Sequence, residues 1–260
     1  MNPKLVEYTK RFQKPDFSPQ LELPMFFTQL ELDNYYEFLP YLNNIQAFCM
    51  RLFLARLLGQ RVCIYSDYDT DAITATATMY FGLLELGFDK DKLDFYAPDR
   101  FTEGYGMNTE ATQRLAKEFD LIVSVDCGIN STVEAEIVKG TNCDLIITDH
   151  HHLHDNVPDC VGVLNPRLAE YYNTNPKNLN SFITKTGKWQ KTLPHYLQLL
   201  KQNLNEDQNQ RLLDYVTQST RDPKEFTTNS NKFMSASVTG VGVAWFCVVW
   251  LGYFLELMES

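Results

Sequence analysis

Three short apolar runs in this sequence lead directly into carboxylates. Val62-Cys63-Ile64-Tyr65-Ser66 is followed by Asp67-Tyr68-Asp69-Thr70-Asp71, Leu121–Val125 by Asp126, and Leu145–Thr148 by Asp149-His150-His151-His152. If these runs are strands of one parallel sheet, their carboxyl ends share the edge where open α/β sheets bind ligands. Five aspartates converging there would repel one another. Two carboxylates ~5 Å apart cost about 3 kcal/mol at an effective dielectric of ~20. Divalent cations relieve that repulsion, and Asp with His suits Mn²⁺, Mg²⁺ or Zn²⁺. Two such ions ~3.5–4 Å apart can clamp a phosphate and activate water for in-line attack. An aspartate after a strand is also a helix cap, and Asp71 or Asp126 taken alone reads first that way. Three loaded strand ends, one with tandem histidines, read together as a site.

The elements that would carry these residues alternate regularly. Between the first and second runs lies a helical stretch from Ile73 to Leu86, closed by Gly87. Leu93–Tyr96 reads as a further strand, followed by a polar loop and a helix near Asn108–Glu118. A helix at Ser131–Lys139 separates the runs ending in Asp126 and Asp149, and Val161–Leu164 is a fifth strand, stopped by Pro166. Strands alternating with helices at this spacing predict an α/β fold, a mostly parallel sheet flanked by helices. Ahead of it, Ile45, Phe48, Leu52 and Ala55 recur at helical spacing and the pattern ends at Gly59, predicting an amphipathic helix over 42–58. Residues 1–41, with Pro15, Pro19, Pro24 and Pro40, read as a lead-in. The α/β domain is expected over 42–169 plus 236–260. Residues 170–235, rich in Asn, Gln, Lys and Thr, read as a peripheral helical insertion, with helical patterns around Tyr196–Leu204 and Gln210–Val216.

Composition sets outer limits. The 260 residues are 44% hydrophobic and 13% aromatic, enough to bury a core, which excludes a disordered tail protein. Residues 61–170 hold 20 acidic and 8 basic side chains, a net of −12, while the rest of the chain is +2. That balance argues against coating duplex DNA by bulk charge. The six cysteines form no Cys-x-x-Cys pair, and they read as buried, reduced thiols of a cytosolic protein. No signal peptide is visible at the polar start. Val238–Leu255 carries no charge, but its glycines, Thr239 and Tyr253 favour a buried core helix over a membrane span.

Asp149-His150-His151 resembles the signature of the DHH phosphoesterase superfamily. Asp67–Asp71 resembles its first motif and Val125-Asp126-Cys127-Gly128 its second. Within the superfamily the sequence is most similar to the RecJ-like exonucleases, which degrade single-stranded DNA 5′→3′. Arg100–Asn108, Leu164-Asn165-Pro166-Arg167, Thr239–Ala244 and the helix entering Gly59 carry that likeness. The resemblance implies two divalent cations, Mn²⁺ or Mg²⁺. Asp69 and Asp71 would each hold one, Asp126 would bridge both, His150 would ligate one, and Asp67 would support the first. His151 would face the scissile phosphate, with Asp149 behind it orienting a histidine. Arg100 and Tyr105 would contact phosphate backbone or base, with Asn108 in the same loop. His152 and His154 read as surface residues.

Two departures qualify this likeness. The glycine that usually follows the last aspartate of the first motif is Ala72, a small and tolerable change. The family's further metal-ligand aspartate lies beyond the glycine-rich helix, and no such motif is present before Ser260. The chain is therefore expected to be a fragment or half of a split enzyme, to use Asp207, Asp214 or Asp222 instead, or to bind without cleaving. A second subunit could supply the missing domain, and a single-strand-binding protein is a further expected partner. The leading function is a two-metal phosphodiesterase on single-stranded DNA. The alternatives are a short-RNA or cyclic-dinucleotide phosphodiesterase, and a non-catalytic scaffold in a replication or repair complex. In the scaffold reading, Lys177, Lys185, Lys188 and Lys191 around Trp189 would form the binding surface.

Overall fold

The computed structural model describes residues 45–168, 187–219 and 238–259. The expected lead-in, Lys177, Lys185 and the side chains of Lys188, Trp189 and Lys191 lie outside them. Among the described residues, five strands form one sheet: β1 (Val62–Tyr65), β2 (Leu93–Tyr96), β3 (Leu121–Val125), β4 (Asp144–Thr148) and β5 (Gly162–Leu164). All pairings are parallel and the order is β2-β1-β3-β4-β5, so the expected parallel α/β architecture is present. The central strands are buried on both faces, which is why they read as unbroken apolar runs rather than alternating ones.

Helices cover both faces. α1 (Ile45–Leu57), α2 (Thr70–Glu85), α3 (Thr109–Glu118), α4 (Thr132–Lys139), α5 (Gly187–Asn203), α6 (Glu206–Ser219) and α7 (Gly240–Glu259) follow in chain order. Cys63, Tyr65, Ile122, Leu145 and Ile147 pack with Ala111, Leu115, Ala135 and Val138, so α3 and α4 share one face of the sheet. α7 packs along α2 and also against α1 and α6. Its apolar Val243, Ala244, Cys247, Leu251, Phe254, Leu255 and Met258 are buried, and by length and composition the helix is also apolar enough to cross a membrane. α1 differs from its amphipathic expectation. Ile45 and every residue from Ala47 to Ala55 are buried, because α5, α7 and β5 pack against it. The patterns near Tyr196 and Gln210 are α5 and α6, and Tyr196, Leu200 and Leu212 are buried.

Register sets the site. Tyr65 is level with Ser124, and Val125 with Thr148. One or two residues further on, Asp67, Asp126 and Asp149 therefore leave β1, β3 and β4 side by side. β1 and β3 are also where the strand order reverses, the crevice at which doubly wound sheets take ligands.

Candidate metal centre

Each acid at this edge is held by a different local device. Asp67 is fully buried, and its Oδ1 accepts from the Tyr68 N–H at 2.8 Å. Asp69 is exposed and caps α2, its Oδ1 accepting from the Ala72 N–H at 2.9 Å. The capping role weighed for Asp71 at this helix thus falls to Asp69. Asp71 instead accepts from the first backbone amides of α7, Gly240 N at 2.7 Å and Val241 N at 2.9 Å.

Asp126 turns the chain out of β3 with φ at +58°, the left-handed region that Asp tolerates better than most side chains. Its carboxylate is 1% exposed. His150 Nε2 stands 3.0 Å from Asp126 Oδ1 and 3.6 Å from Asp71 Oδ2. Beyond this ion-pair contact Asp126 Oδ1 has no hydrogen-bond partner, and the buried Asp67 Oδ2 has none. An orphaned buried polar atom costs about 1–3 kcal/mol. Burial raises the pKa of both Asp67 and Asp126, with neighbouring acids adding to the shift. The adjacent Asp126 carboxylate raises that of His150.

Asp149 is a hub behind the histidines. Its Oδ1 accepts from the His150 and His151 amides at 2.6 and 3.0 Å and meets His151 Nδ1 at 2.8 Å, while Oδ2 accepts from the Ile129 N–H at 2.9 Å. The carboxylate favours the proton on Nδ1 and lifts the His151 pKa. That leaves Nε2 facing outward, 2.9 Å from the Tyr105 hydroxyl. Asn165 Nδ2 donates to the His151 carbonyl at 3.0 Å and Arg167 Nε to the His150 carbonyl at 2.7 Å. The Asn-Pro-Arg stretch after β5 is therefore what fixes the histidine backbone.

Among the described residues, Asp126, His150 and His151 bring one ligand atom each within 4.8 Å of one another. Asp71 adjoins them through His150. This donor set of carboxylate and imidazole fits a hard or borderline divalent cation.

Arg100 and Tyr105 stand at the mouth. The Arg100 guanidinium lies 5.4 Å over the Tyr68 ring, Tyr68 meets Tyr105 edge-on at 6.3 Å, and Tyr105 meets His151 at 5.9 Å. Asn108 is placed differently: it caps α3 through Oδ1 to the Ala111 N–H at 2.8 Å, and its Nδ2 reaches Tyr65 and Glu103. Its side chain orders the loop instead of opening towards the mouth. Tyr68 is the member of this row that sequence reading missed, although its place between two site aspartates was a signal. His152 and His154 are exposed.

The candidate substitutes for a further ligand aspartate do not reach the centre. Asp207 pairs with Arg211, and Asp214 accepts from Gln210, both on α6. α6 meets α7 at Phe254, Leu257 and Met258, roughly 20 Å or more along the helix from Gly240 at 1.5 Å per residue. Asp222 lies outside the described residues.

The family model for "DHH family, N-terminal domain" matches residues 61–200, and the chain belongs to that family. It is 40% identical over 109 residues to the single-stranded-DNA-specific exonuclease RecJ of Bacillus subtilis, covering 42% of this chain and 14% of that protein. To the Escherichia coli RecJ it is 32% identical over 130 residues, covering 50% of this chain and 22% of the relative. The match thus spans about a fifth or less of those proteins. Among solved structures, RecJ of Thermus thermophilus in complex with Mn²⁺ aligns with a TM-score of 0.41 at 27% identity, over 48% of this chain and 17% of that one. An exonuclease RecJ bound to manganese aligns at 0.46 and 20% identity, over 84% and 66%.

Proposed function

We propose that this chain carries the catalytic sheet of a metal-dependent phosphodiesterase that hydrolyses single-stranded DNA 5′→3′. The observation that carries the reading is the convergence of Asp126, His150 and His151 ligand atoms within 4.8 Å of one another, at the strand-order reversal of a parallel sheet. The similarity to single-stranded-DNA-specific exonucleases supports the substrate class.

Asp67, Asp69, Asp71, Asp126 and His150 would hold two divalent cations, Mn²⁺ or Mg²⁺. Bound there, the ions would lower the pKa of a water and neutralise charge on the phosphate. The remaining work falls to the protein's own groups. His151, oriented by Asp149, presents Nε2 to a phosphate oxygen as a hydrogen-bond donor once protonated, and its raised pKa favours that state. Arg100 pairs with a backbone phosphate, while the Tyr68 and Tyr105 rings offer faces to an unstacked base. Water adds to phosphorus and gives up a proton, the bond to the leaving sugar 3′ oxygen breaks, that oxygen takes up a proton, and a 5′-nucleotide departs. The enzyme is soluble and cytoplasmic in this reading. A single-strand-binding protein or a second subunit completing the groove is its expected company.

The test is digestion of 5′- and 3′-labelled single strands, duplexes, short RNAs and cyclic dinucleotides with Mn²⁺, alongside Asp126→Asn. Release of mononucleotides from single strands, absent in the variant, is expected. Faster turnover of dinucleotides favours the short-substrate alternative. No hydrolysis by a folded, manganese-binding chain favours the scaffold.

A further inference from the structure

The first turn of α7 touches two of the site acids, yet it brings no titratable side chain of its own. A helix begins with amides that lack intrahelical partners. Here the first two, Gly240 and Val241, are taken by the two oxygens of Asp71, and Thr239 Oγ1 accepts more weakly from Gly242 N at 3.4 Å. The opposite side of the same turn lies against Asp126. A Cβ built on Gly240 would stand 2.2 Å from Asp126 Oδ1, 2.4 Å from Cγ and 2.6 Å from Cβ. The whole carboxylate occupies that space, so a methyl group must displace either the acid or the helix. Asp126 is buried, and the Asp71 bonds oppose movement of the helix. Further along, α7 is pressed on α2 in the same way: a Cβ on Gly82 would stand 2.4 Å from Val248 Cγ1.

We infer that Gly240 is a positioning residue for the metal centre. The turn it begins, pinned by Asp71, is the wall that holds the Asp126 carboxylate in place and sets the spacing of Asp71 and Asp126 about His150. Asp71 thereby acts on α7 as well as on any bound ion. The inference rests on the metal-centre reading above and adds a residue without a side chain to it.

Gly240→Ala and Gly82→Ala in the full chain test it, since each inserts one methyl group between closely packed elements. Both lower the melting temperature. Mn²⁺ affinity, read by calorimetric titration and by the electron paramagnetic resonance of the bound ion, falls at least ~10-fold in Gly240→Ala and stays within about threefold in Gly82→Ala. Equal losses in the two variants, or unchanged binding in Gly240→Ala, overturn the inference while leaving the metal centre standing. A folded wild-type chain that binds no Mn²⁺ overturns the metal-centre reading and this inference with it. Hydrogen exchange of the metal-free protein keeps the question open to test if Gly240→Ala does not fold. Asp71→Asn speeds exchange at Gly240 and Val241 by at least about 10-fold, with residues 246–251 unchanged. Unaltered exchange at the first two amides overturns the clamp.

Discussion

At the amino edge of the sheet, Arg51 is buried and fully engaged. Its guanidinium donates to Asp144 Oδ2 at 2.6 Å, to Gln60 Oε1 at 2.8 Å and to the Asp120 carbonyl at 3.0 Å, and the Tyr196 hydroxyl donates to the same Asp144 oxygen. At the carboxyl edge, Asp67 and Asp126 are buried as deeply, and each keeps an oxygen without a hydrogen bond. One edge joins α1, α5 and β4 with its charges answered. The other crowds several acids together, answered only in part by His150 and by backbone amides. A buried charge that is paired serves the fold, and one left unanswered at a strand-order reversal points to a ligand.

The comparison can be broken at either edge. Asp144→Ala leaves Arg51 buried beside an empty place and should cost about 3 kcal/mol of unfolding free energy, the lower end for a broken buried pair because Asp144 is a quarter exposed. Urea denaturation measures it, and a cost under ~1 kcal/mol would remove the contrast. Asp126→Asn should act the other way. It removes one of the crowded acids, so the metal-free protein melts no lower than wild type, while Mn²⁺ affinity drops by more than ~100-fold, beyond what loss of an outer-shell partner costs. Mn²⁺ itself at about 100 times its Kd should add ~2.7 kcal/mol of stability to the wild type. The gain should persist in Asp144→Ala and vanish in Asp126→Asn, as scanning calorimetry would show. The smallest effect is expected from Tyr105→Phe. Loss of its 2.9 Å bond to His151 should reduce single-strand turnover by no more than ~10-fold, with Mn²⁺ affinity unchanged.

Much of this edge could be read from residue order, because strand period and the run-then-acid pattern are local. The five strands, and the convergence of Asp67, Asp126 and Asp149, follow from them. Gly240 was legible only as one glycine of the uncharged Val238–Leu255 stretch, since its neighbour Asp126 is distant in sequence. The Asp71 clamp and the Arg51 network were not legible at all. Each joins groups whose spacing is set by how helices settle on the sheet, and composition gives no hint of which partner a lone Arg or Asp will find. Asn108 had a structural part that residue order did not show: its side-chain oxygen caps the start of α3.

The bond between Asp71 and Gly240 closes a span of 169 residues. The length-dependent entropy of closing such a loop is about 4–5 kcal/mol, so the contact waits until other packing has brought its ends together. During synthesis the three acid-bearing strands emerge early, but the turn that walls them in comes from the last described helix. A chain built this way would assemble its metal centre late, after the sheet has formed.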